Sequence, residues 1–180
     1  MRIFGFDPGS KHTGYGCIET DGSQHRVVVC GAISPSVRAT FPEKLLAIHQ
    51  GLSGLLTLHR PDCVAIEDLF HARNARSALR LGHVRGVVML AAAEVGLPVS
   101  EYSPTQVKCA VVGYGHAEKQ QVQQMVMLLL GLETAPSPLD VSDALAVAVC
   151  HAHATGPTGA EADDTRSRAD QSWRRHRPVQ

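Results

Sequence analysis

Several features that would place this 180-residue chain in a special class of protein are missing from it. No apolar run approaches the roughly 18 residues of a transmembrane helix, and no long apolar segment follows the first residues as in a signal peptide. The formal net charge is zero, which argues against a protein that coats nucleic acid through bulk positive charge. Aromatic residues make up only 4% of the chain, so the core should consist mainly of Val, Leu, Ile and Ala.

The cysteines form no C-x-x-C motif. They are odd in number and widely spaced, and they are Cys17, Cys30, Cys63, Cys109 and Cys150. This pattern is typical of reduced, mostly buried thiols, and it predicts a cytoplasmic protein. The hydrophobic content of 44% and the charged content of 19% are ordinary for a soluble globular domain.

We expect one domain over residues 1–153 and a disordered C-terminal tail over residues 154–180. The tail has almost no aliphatic residues and no apolar period. It contains Trp173 and several arginines, which fit contact with DNA or a partner, but also a solvated segment.

The order of the predicted elements indicates an α/β domain. Three strands come first, RIFGFD, YGCIET and HRVVVCGAI, and short turns join them into an antiparallel meander. A helix over 43–59, the strand CVAIED, a helix over 74–95 and the strand LPVSEY follow, and helices are predicted over 105–111, 117–130 and 138–150. This order predicts a mixed five-stranded sheet, with three antiparallel and two parallel strands, flanked by helices.

Four carboxylates are the main candidates for chemistry. Asp7 ends the first strand and Glu67 the fourth, and the carboxyl ends of parallel neighbours meet at one sheet edge. Asp140 and Asp143 are spaced i, i+3 and share one face of the last helix, for which Ser137 is the expected N-cap. The two helical aspartates could simply favour the helix dipole, and Glu67 could be a salt-bridge partner. A carboxylate inside an apolar strand, as at Asp7, needs a cation or a donor.

The donor set of this cluster indicates a metal site. Carboxylate oxygens suit Mg²⁺ or Mn²⁺ better than zinc. Two such ions per active site are the arrangement that hydrolyses phosphodiesters, by activating water and stabilising the leaving oxygen. Asp7 is the expected bridging ligand, and Glu67, Asp140 and Asp143 complete the predicted site.

On these residues the chain resembles the RuvC family of Holliday-junction resolvases, which are ribonuclease-H-like nucleases. The motifs that carry the resemblance run in order from GFDPGSKHTGYG through AIEDLF, NARSALRLGHVRG and VKCAVVGYGHAEKQQVQ to DVSDALAVAV, and cover nearly all of residues 1–153. The resemblance implies a ribonuclease-H-like fold and a homodimer. It also implies Mg²⁺- or Mn²⁺-dependent paired nicking of four-way DNA junctions in recombination and repair. Contact with RuvA–RuvB branch-migration proteins is left open.

The resemblance also implies roles for individual residues. The family's four acidic positions fall on Asp7, Glu67, Asp140 and Asp143, as catalytic and metal-binding residues. Lys108 and Lys119 match family lysines near the scissile phosphate. A cation in the first turn of a helix, as at Lys119, is electrostatically unfavourable and therefore suggests a function, although either lysine could serve only solubility.

The stretch after Glu67 is predicted to contact DNA. Phe70 could stack on an unpaired base at the crossover, in line with the family's aromatic position, or anchor a buried loop. A basic stripe at helical spacing follows, and it fits either phosphate contact or a solvated face. The members of this stripe are Arg73, Arg76, Arg80 and His83.

Two further groups allow more than one interpretation. The small residues Ala78, Gly82 and Gly86 lie along one helix and could form a dimer contact or pack on the sheet. Cys150, His151 and His153 resemble a soft-metal cluster, but we expect them to cap the C-terminus of the last helix.

Three alternative functions remain to be compared. The sequence DPGS after a first strand also resembles the phosphate loop of actin–Hsp70–sugar-kinase ATPases, but those proteins need two such domains and this chain has the length for one. A related ribonuclease-H-like nuclease could act on flaps or RNA. A non-catalytic junction-binding scaffold is opposed by the four retained carboxylates.

Overall fold

The computed structural model describes residues 1–68 and 74–156 of the chain. The predictions for Phe70 and Arg73, and for the tail from residue 157 onwards, lie outside the described residues.

The sheet has five strands in the order β3-β2-β1-β4-β5. Their bounds are Arg2–Asp7 (β1), Thr13–Thr20 (β2), His25–Ile33 (β3), Cys63–Glu67 (β4) and Val99–Tyr102 (β5). Strand β2 pairs with β1 and β3 in antiparallel fashion, whereas β4 pairs with β1 and β5 in parallel fashion. The predicted mixed sheet is therefore confirmed, including the parallel contact between the first and fourth strands.

Five helices surround the sheet within the described residues. They are Phe41–His59 (α1), Ala75–Glu94 (α2), Pro104–Val112 (α3), Lys119–Leu130 (α4) and Leu139–Thr155 (α5). None of these helices, in the described ranges, has the length and apolarity to span a membrane. The start of α2 agrees with its sequence, because the side chain of Asn74 accepts a hydrogen bond from the Ser77 N–H at 2.9 Å.

The start of α5 differs from the prediction. Pro138, not Ser137, is the N-cap residue, and no side-chain bond caps the helix there. Leu139 is 45% exposed and does not pack into the core. As the first helical residue it lies about 200° around the helix axis from Val141, which is buried.

The two faces of the sheet form two separate cores. Helices α3, α4 and α5 pack on one face with Ile3 and Ala65, and helices α1 and α2 pack on the other with Phe6 and Ile66. This division follows from the alternation of side chains along each strand. All five cysteines are free thiols, and Cys30 and Cys109 are the exposed ones.

Candidate active site

The parallel pair β1 and β4 brings two carboxylates to the same edge of the sheet. Phe6 is in register with Ile66, so Asp7 and Glu67 are the next residues of the two strands. Phe6 and Ile66 point into the core beneath α1 and α2. Because strand residues alternate, Asp7 and Glu67 point to the opposite face, which α5 covers.

Two glycines let α5 approach this edge of the sheet closely. Gly14 pairs with Asp7 in the register of β1 and β2, and a Cβ at Gly14 would overlap the backbone carbonyl of Asp140. A Cβ at Gly5 would likewise overlap the carbonyl of Ala144. The first turns of α5 therefore lie directly against the end of β1, which places the two aspartates of that helix beside Asp7.

The surroundings of Asp7 disfavour its charged form. Burial, and then repulsion from the carboxylates of Glu67, Asp143 and Asp140, raise the pKa of Asp7 to about 8. The ammonium group of Lys119 opposes this shift only in part. All three other carboxylates thus act on Asp7, and without a bound cation its carboxyl is mostly protonated at neutral pH.

Glu67 experiences a similar environment. Burial and then repulsion from Asp143 raise the pKa of Glu67 to about 7, while Lys119 and Lys108 lower it. Lys108 lies half-buried on α3, close enough to stabilise the charged form of Glu67. The structure therefore brings together the four predicted carboxylates and both predicted lysines.

Lys119 forms the one ion pair found between this cluster and a described cation. Its Nζ donates a hydrogen bond to Oδ2 of Asp143 at 2.7 Å. Burial works against the ammonium charge, but this bond and the attraction to Asp143, followed by Asp7 and Glu67, raise the pKa of Lys119 overall. As predicted, Lys119 lies in the first turn of its helix, where the carboxylates offset the unfavourable helix dipole.

The chemistry of the donors fits hard divalent cations. Four carboxylates face two lysines, so full ionisation would leave two negative charges in excess, and the raised pKa values of Asp7 and Glu67 show how unfavourable that state is. Within residues 1–68 and 74–156, no three His, Cys, Asp or Glu side chains lie close enough together, as they stand, to hold a metal ion. One of the four carboxylates, that of Asp143, is bonded to Lys119 instead. The fit to a hard divalent cation therefore rests on the chemistry of the carboxylate oxygens.

The described part of the basic stripe lies at the start of α2. Arg76 and Arg80 are exposed, but Arg80 stacks over the ring of Phe41 at 5.5 Å from its centroid. His83 contacts the same ring edge-on at 5.7 Å. The sequence reasoning missed Phe41, because its separation of about 40 residues from Arg80 leaves no local signal.

Arg85, a further arginine of this stretch, does not extend the stripe. Its guanidinium forms ion pairs with Asp68 and Glu101. No local sequence signal predicts these pairs, because the partners lie 17 and 16 residues away along the chain.

The small residues of α2 do not pack on the sheet. Ala78, Gly82 and Gly86 are all exposed, and a Cβ added at either glycine would meet nothing within 4 Å. The intramolecular alternative is therefore wrong, and this ridge is a free surface within the described part of the chain.

The prediction for the histidines near the end of α5 holds only in part, because His153 lies in the last turn of the helix whereas His151 is buried before that turn. His151 bonds to the Tyr102 hydroxyl through Nδ1 at 2.7 Å and lies 3.2 Å from Cys63 Sγ through Nε2. His153 Nδ1 donates to the carbonyl of Ala110 at 3.0 Å. Because α5 continues to Thr155, these side chains point sideways and link the helix to its neighbours.

The fold and the acidic sheet edge define a nuclease of the ribonuclease-H-like class. The family profile described as crossover junction endodeoxyribonuclease RuvC matches residues 3–151. The chain belongs to the RuvC family.

Individual relatives agree with this assignment. Two proteins named crossover junction endodeoxyribonuclease RuvC, from Koribacter versatilis (strain Ellin345) and Citrifermentans bemidjiense, are each 53% identical over 156 residues. These matches cover 86% and 87% of this chain and 94% of each relative. The structure of Thermus thermophilus RuvC in complex with a Holliday junction substrate is also similar, with 38% identity and a TM-score of 0.81. That similarity covers 85% of this chain and 93% of the relative.

Proposed function

We propose that this protein is a metal-dependent endonuclease that resolves four-way DNA junctions by paired, symmetric nicks. The observation that carries the proposal is the gathering of three carboxylates around Asp7, whose pKa burial and their repulsion raise to about 8. A protein that only bound DNA would not benefit from a cluster of carboxylates, because their negative charges would repel the phosphate backbone. Membership of the RuvC family supports the junction as the substrate.

We infer that Asp7, Glu67, Asp140 and Asp143 hold two Mg²⁺ or Mn²⁺ ions. Such ions, when bound, supply an activated water and stabilisation of the leaving 3′-oxygen. Asp7 is central among the carboxylates and is the natural residue to be shared. The role of the protein is to hold these oxygens on three rigid elements, β1, β4 and α5, so that the ions and the phosphate meet in a fixed geometry.

Lys119 has a second role in this proposal. Its side chain is 67% exposed, whereas that of Asp143 is 16% exposed. The ammonium can therefore turn from Asp143 towards a DNA phosphate once a divalent cation takes over the carboxylate. There it would orient the phosphate and stabilise the charge that develops in the transition state. Lys108, which lies on α3 near the carboxylate of Glu67, would contact the same DNA strand as Lys119.

The remaining DNA contacts involve the stretch that follows β4. Arg76 and Arg80 are exposed at the start of α2, a few residues beyond Glu67 in the chain, and can neutralise backbone phosphates. Because Arg80 already stacks on Phe41, its side chain has fewer rotamers to lose when it binds a phosphate, so the entropy cost of binding is smaller. Phe70 and Arg73 stay predictions of this interface from the sequence.

The proposed enzyme acts as a homodimer, because two matched cuts in a twofold-symmetric junction need two sites related by a twofold axis. The exposed ridge of α2 suits a contact with a second copy. Its small residues permit close approach of two helices, and Leu79 and Leu90, on the same helix, are 65% and 53% exposed. Contact with branch-migration proteins stays a prediction.

Cleavage assays on matched substrates test this function. A synthetic four-way junction and a linear duplex of the same sequence are incubated with the protein across a titration of Mg²⁺, with a flap and an RNA–DNA hybrid as further substrates. We expect metal-dependent, paired nicks in the junction alone. Preferential cutting of flaps or hybrids would favour the related-nuclease alternative, and junction binding without metal-dependent cleavage would favour the scaffold.

A further inference from the structure

Arg85 of α2 makes two ion pairs behind the active-site edge of the sheet. Its Nη1 lies 2.6 Å from Oδ1 of Asp68, and its Nη2 contacts Oε2 of Glu101. The arginine side chain is only 20% exposed, whereas the two carboxylates are 38% and 41% exposed. A half-buried guanidinium that engages two carboxylates is held in one orientation, because its planar fork matches both partners at once.

The two carboxylates lie on two neighbouring parts of the sheet, Asp68 just after the end of β4 and Glu101 within β5. Asp68 directly follows Glu67, and its N–H donates to the carbonyl of Tyr102 at 2.7 Å. Glu101 lies on β5, in register with Ile66 of β4. The guanidinium therefore joins the end of β4, strand β5 and helix α2 at one point.

This point lies on the other side of the sheet from the metal ligands. Ile66 and Glu101 are paired residues, and Ile66 faces the core beneath α1 and α2. Since strand residues alternate, Glu67 faces the carboxylate cluster while Asp68 is held from behind. Residues 69–73, which include Phe70, are attached to the chain directly after Asp68.

We propose that Arg85 is a positioning residue for the active site. By holding Asp68 and Glu101, it fixes the end of β4 so that the carboxylate of Glu67 keeps its place among the metal ligands. The inference rests on the metal site proposed above, and it removes Arg85 from the arginines available to phosphates.

Carboxylate and arginine variants test this proposal, with Arg26→Gln as a control because Arg26 forms an exposed pair with Glu19 on β2. We would compare Arg85→Gln, Arg85→Lys and Asp68→Asn with the wild type. Three quantities are measured: Mn²⁺ affinity by calorimetry without DNA, the Mg²⁺ concentration for half-maximal cleavage, and junction affinity in EDTA.

We expect Arg85→Gln to weaken Mn²⁺ binding and to raise the half-saturating Mg²⁺ concentration by about tenfold. Changes at residues that orient metal ligands typically cost 10- to 100-fold in metal affinity, and Arg85 acts through the neighbour of a ligand. The maximal rate at saturating Mg²⁺ should recover to within about threefold, and junction affinity in EDTA should stay within about twofold of the wild type. Asp68→Asn should have the same effect, and the double variant should be little worse than either single variant. Arg85→Lys, which can engage one carboxylate, should restore part of the metal affinity.

Other results would overturn the proposal. If Arg85 contacted phosphate, Arg85→Gln would weaken junction binding in EDTA. The slope of log affinity against log salt concentration would also fall by about the amount that one phosphate contact contributes. In that case Asp68→Asn would release the arginine and strengthen binding. A loss of melting temperature with unchanged metal affinity would show that the ion pairs only stabilise the fold. If Arg85→Gln did not fold, Asp68→Asn and Glu101→Gln, which each remove one partner, would decide. Failure of the proposed function is distinct, because the wild type itself would then bind no Mn²⁺ at the site.

Discussion

Replacement of Asp7 by Asn should stabilise the metal-free protein and abolish cleavage. Folding raises the pKa of this carboxyl from 3.8 to about 8, through burial first and then through repulsion from Glu67, Asp143 and Asp140. At pH 7 the folded protein must therefore take up a proton that the unfolded chain does not bind. The three pH units between 3.8 and 7 correspond to about 4 kcal/mol, and relaxation of the cluster reduces this to an expected gain of about 2–4 kcal/mol for the Asn variant.

The same linkage predicts a pH dependence. A carboxyl whose pKa is raised on folding costs nothing below its unfolded pKa, and stability falls as the pH rises through the window up to the folded pKa. In EDTA, the free energy of unfolding of the wild type should fall between about pH 4 and pH 8, and Glu67, with a pKa of about 7, should add to the slope. Asp7→Asn should reduce that slope by about 1.4 kcal/mol per pH unit.

Urea denaturation in EDTA at intervals from pH 5 to pH 9 measures these quantities. The exposed Glu133 offers a control, because Glu133→Gln removes one negative charge that belongs to none of the described ion pairs. Junction binding of Asp7→Asn in EDTA should persist at neutral pH and strengthen above about pH 8, where the wild-type carboxyl is charged and repels phosphate. Equal pH slopes for Asp7→Asn and the wild type, or a variant that still cleaves, would refute the reasoning.

Four further variants, of which Gly54→Ala is a control, probe the site, the fold and the assembly. Lys119→Gln should lower the cleavage rate in single-turnover kinetics by about 100-fold or more, with little loss of Mg²⁺ affinity. The reason is that the variant lacks the positive charge that stabilises the transition state. Gly14→Ala should destabilise the protein by about 3 kcal/mol in urea denaturation, since its Cβ would overlap the backbone of α5. Gly54→Ala, on open helix surface, should be neutral or slightly stabilising. Gly86→Glu should fold normally but sediment as a monomer, because it places charge on the exposed ridge of α2.

Contrary outcomes for these variants are equally specific. Full activity of Lys119→Gln would show that this lysine has no role in the transition state and serves only in the ion pair with Asp143. Equal stability of Gly14→Ala and Gly54→Ala would mean that α5 does not press on β2. If Gly86→Glu formed dimers as stable as those of the wild type, the dimer contact would not lie on the exposed ridge of α2.

Local patterns predicted most of the fold. The helix over 74–95 differs by one residue at each end from α2, because Asn74 is a good N-cap and the apolar period is clear. The errors arose where a local rule met a tertiary constraint. Ser137 is a good N-cap by type, yet the helix begins one residue later. His153 lies in the last turn of α5 as expected, whereas His151 lies before that turn and bonds to the Tyr102 hydroxyl.

The proximity of the four candidate carboxylates was predicted from the sequence, but the shifts of their pKa values were not. Asp7 could be recognised because a carboxylate in an apolar strand is costly in any fold. The prediction that Glu67 lies beside Asp7 depended on β1 and β4 being parallel neighbours. The register of Phe6 with Ile66 confirms that pairing. The separation of the arginines into exposed and ion-paired groups had no sequence signal, because Arg85 and its partners lie on different elements.

The sequence by itself determined which segments are strands and helices and which side chains can carry charge, because both depend on nearest neighbours along the chain and on residue type. Only the tertiary structure decided how far burial and mutual repulsion shift the pKa values of Asp7 and Glu67, which arginine is free, and which face of α2 is left uncovered. These properties depend on groups that are distant in sequence and close in space, and on how much water the fold excludes from between them.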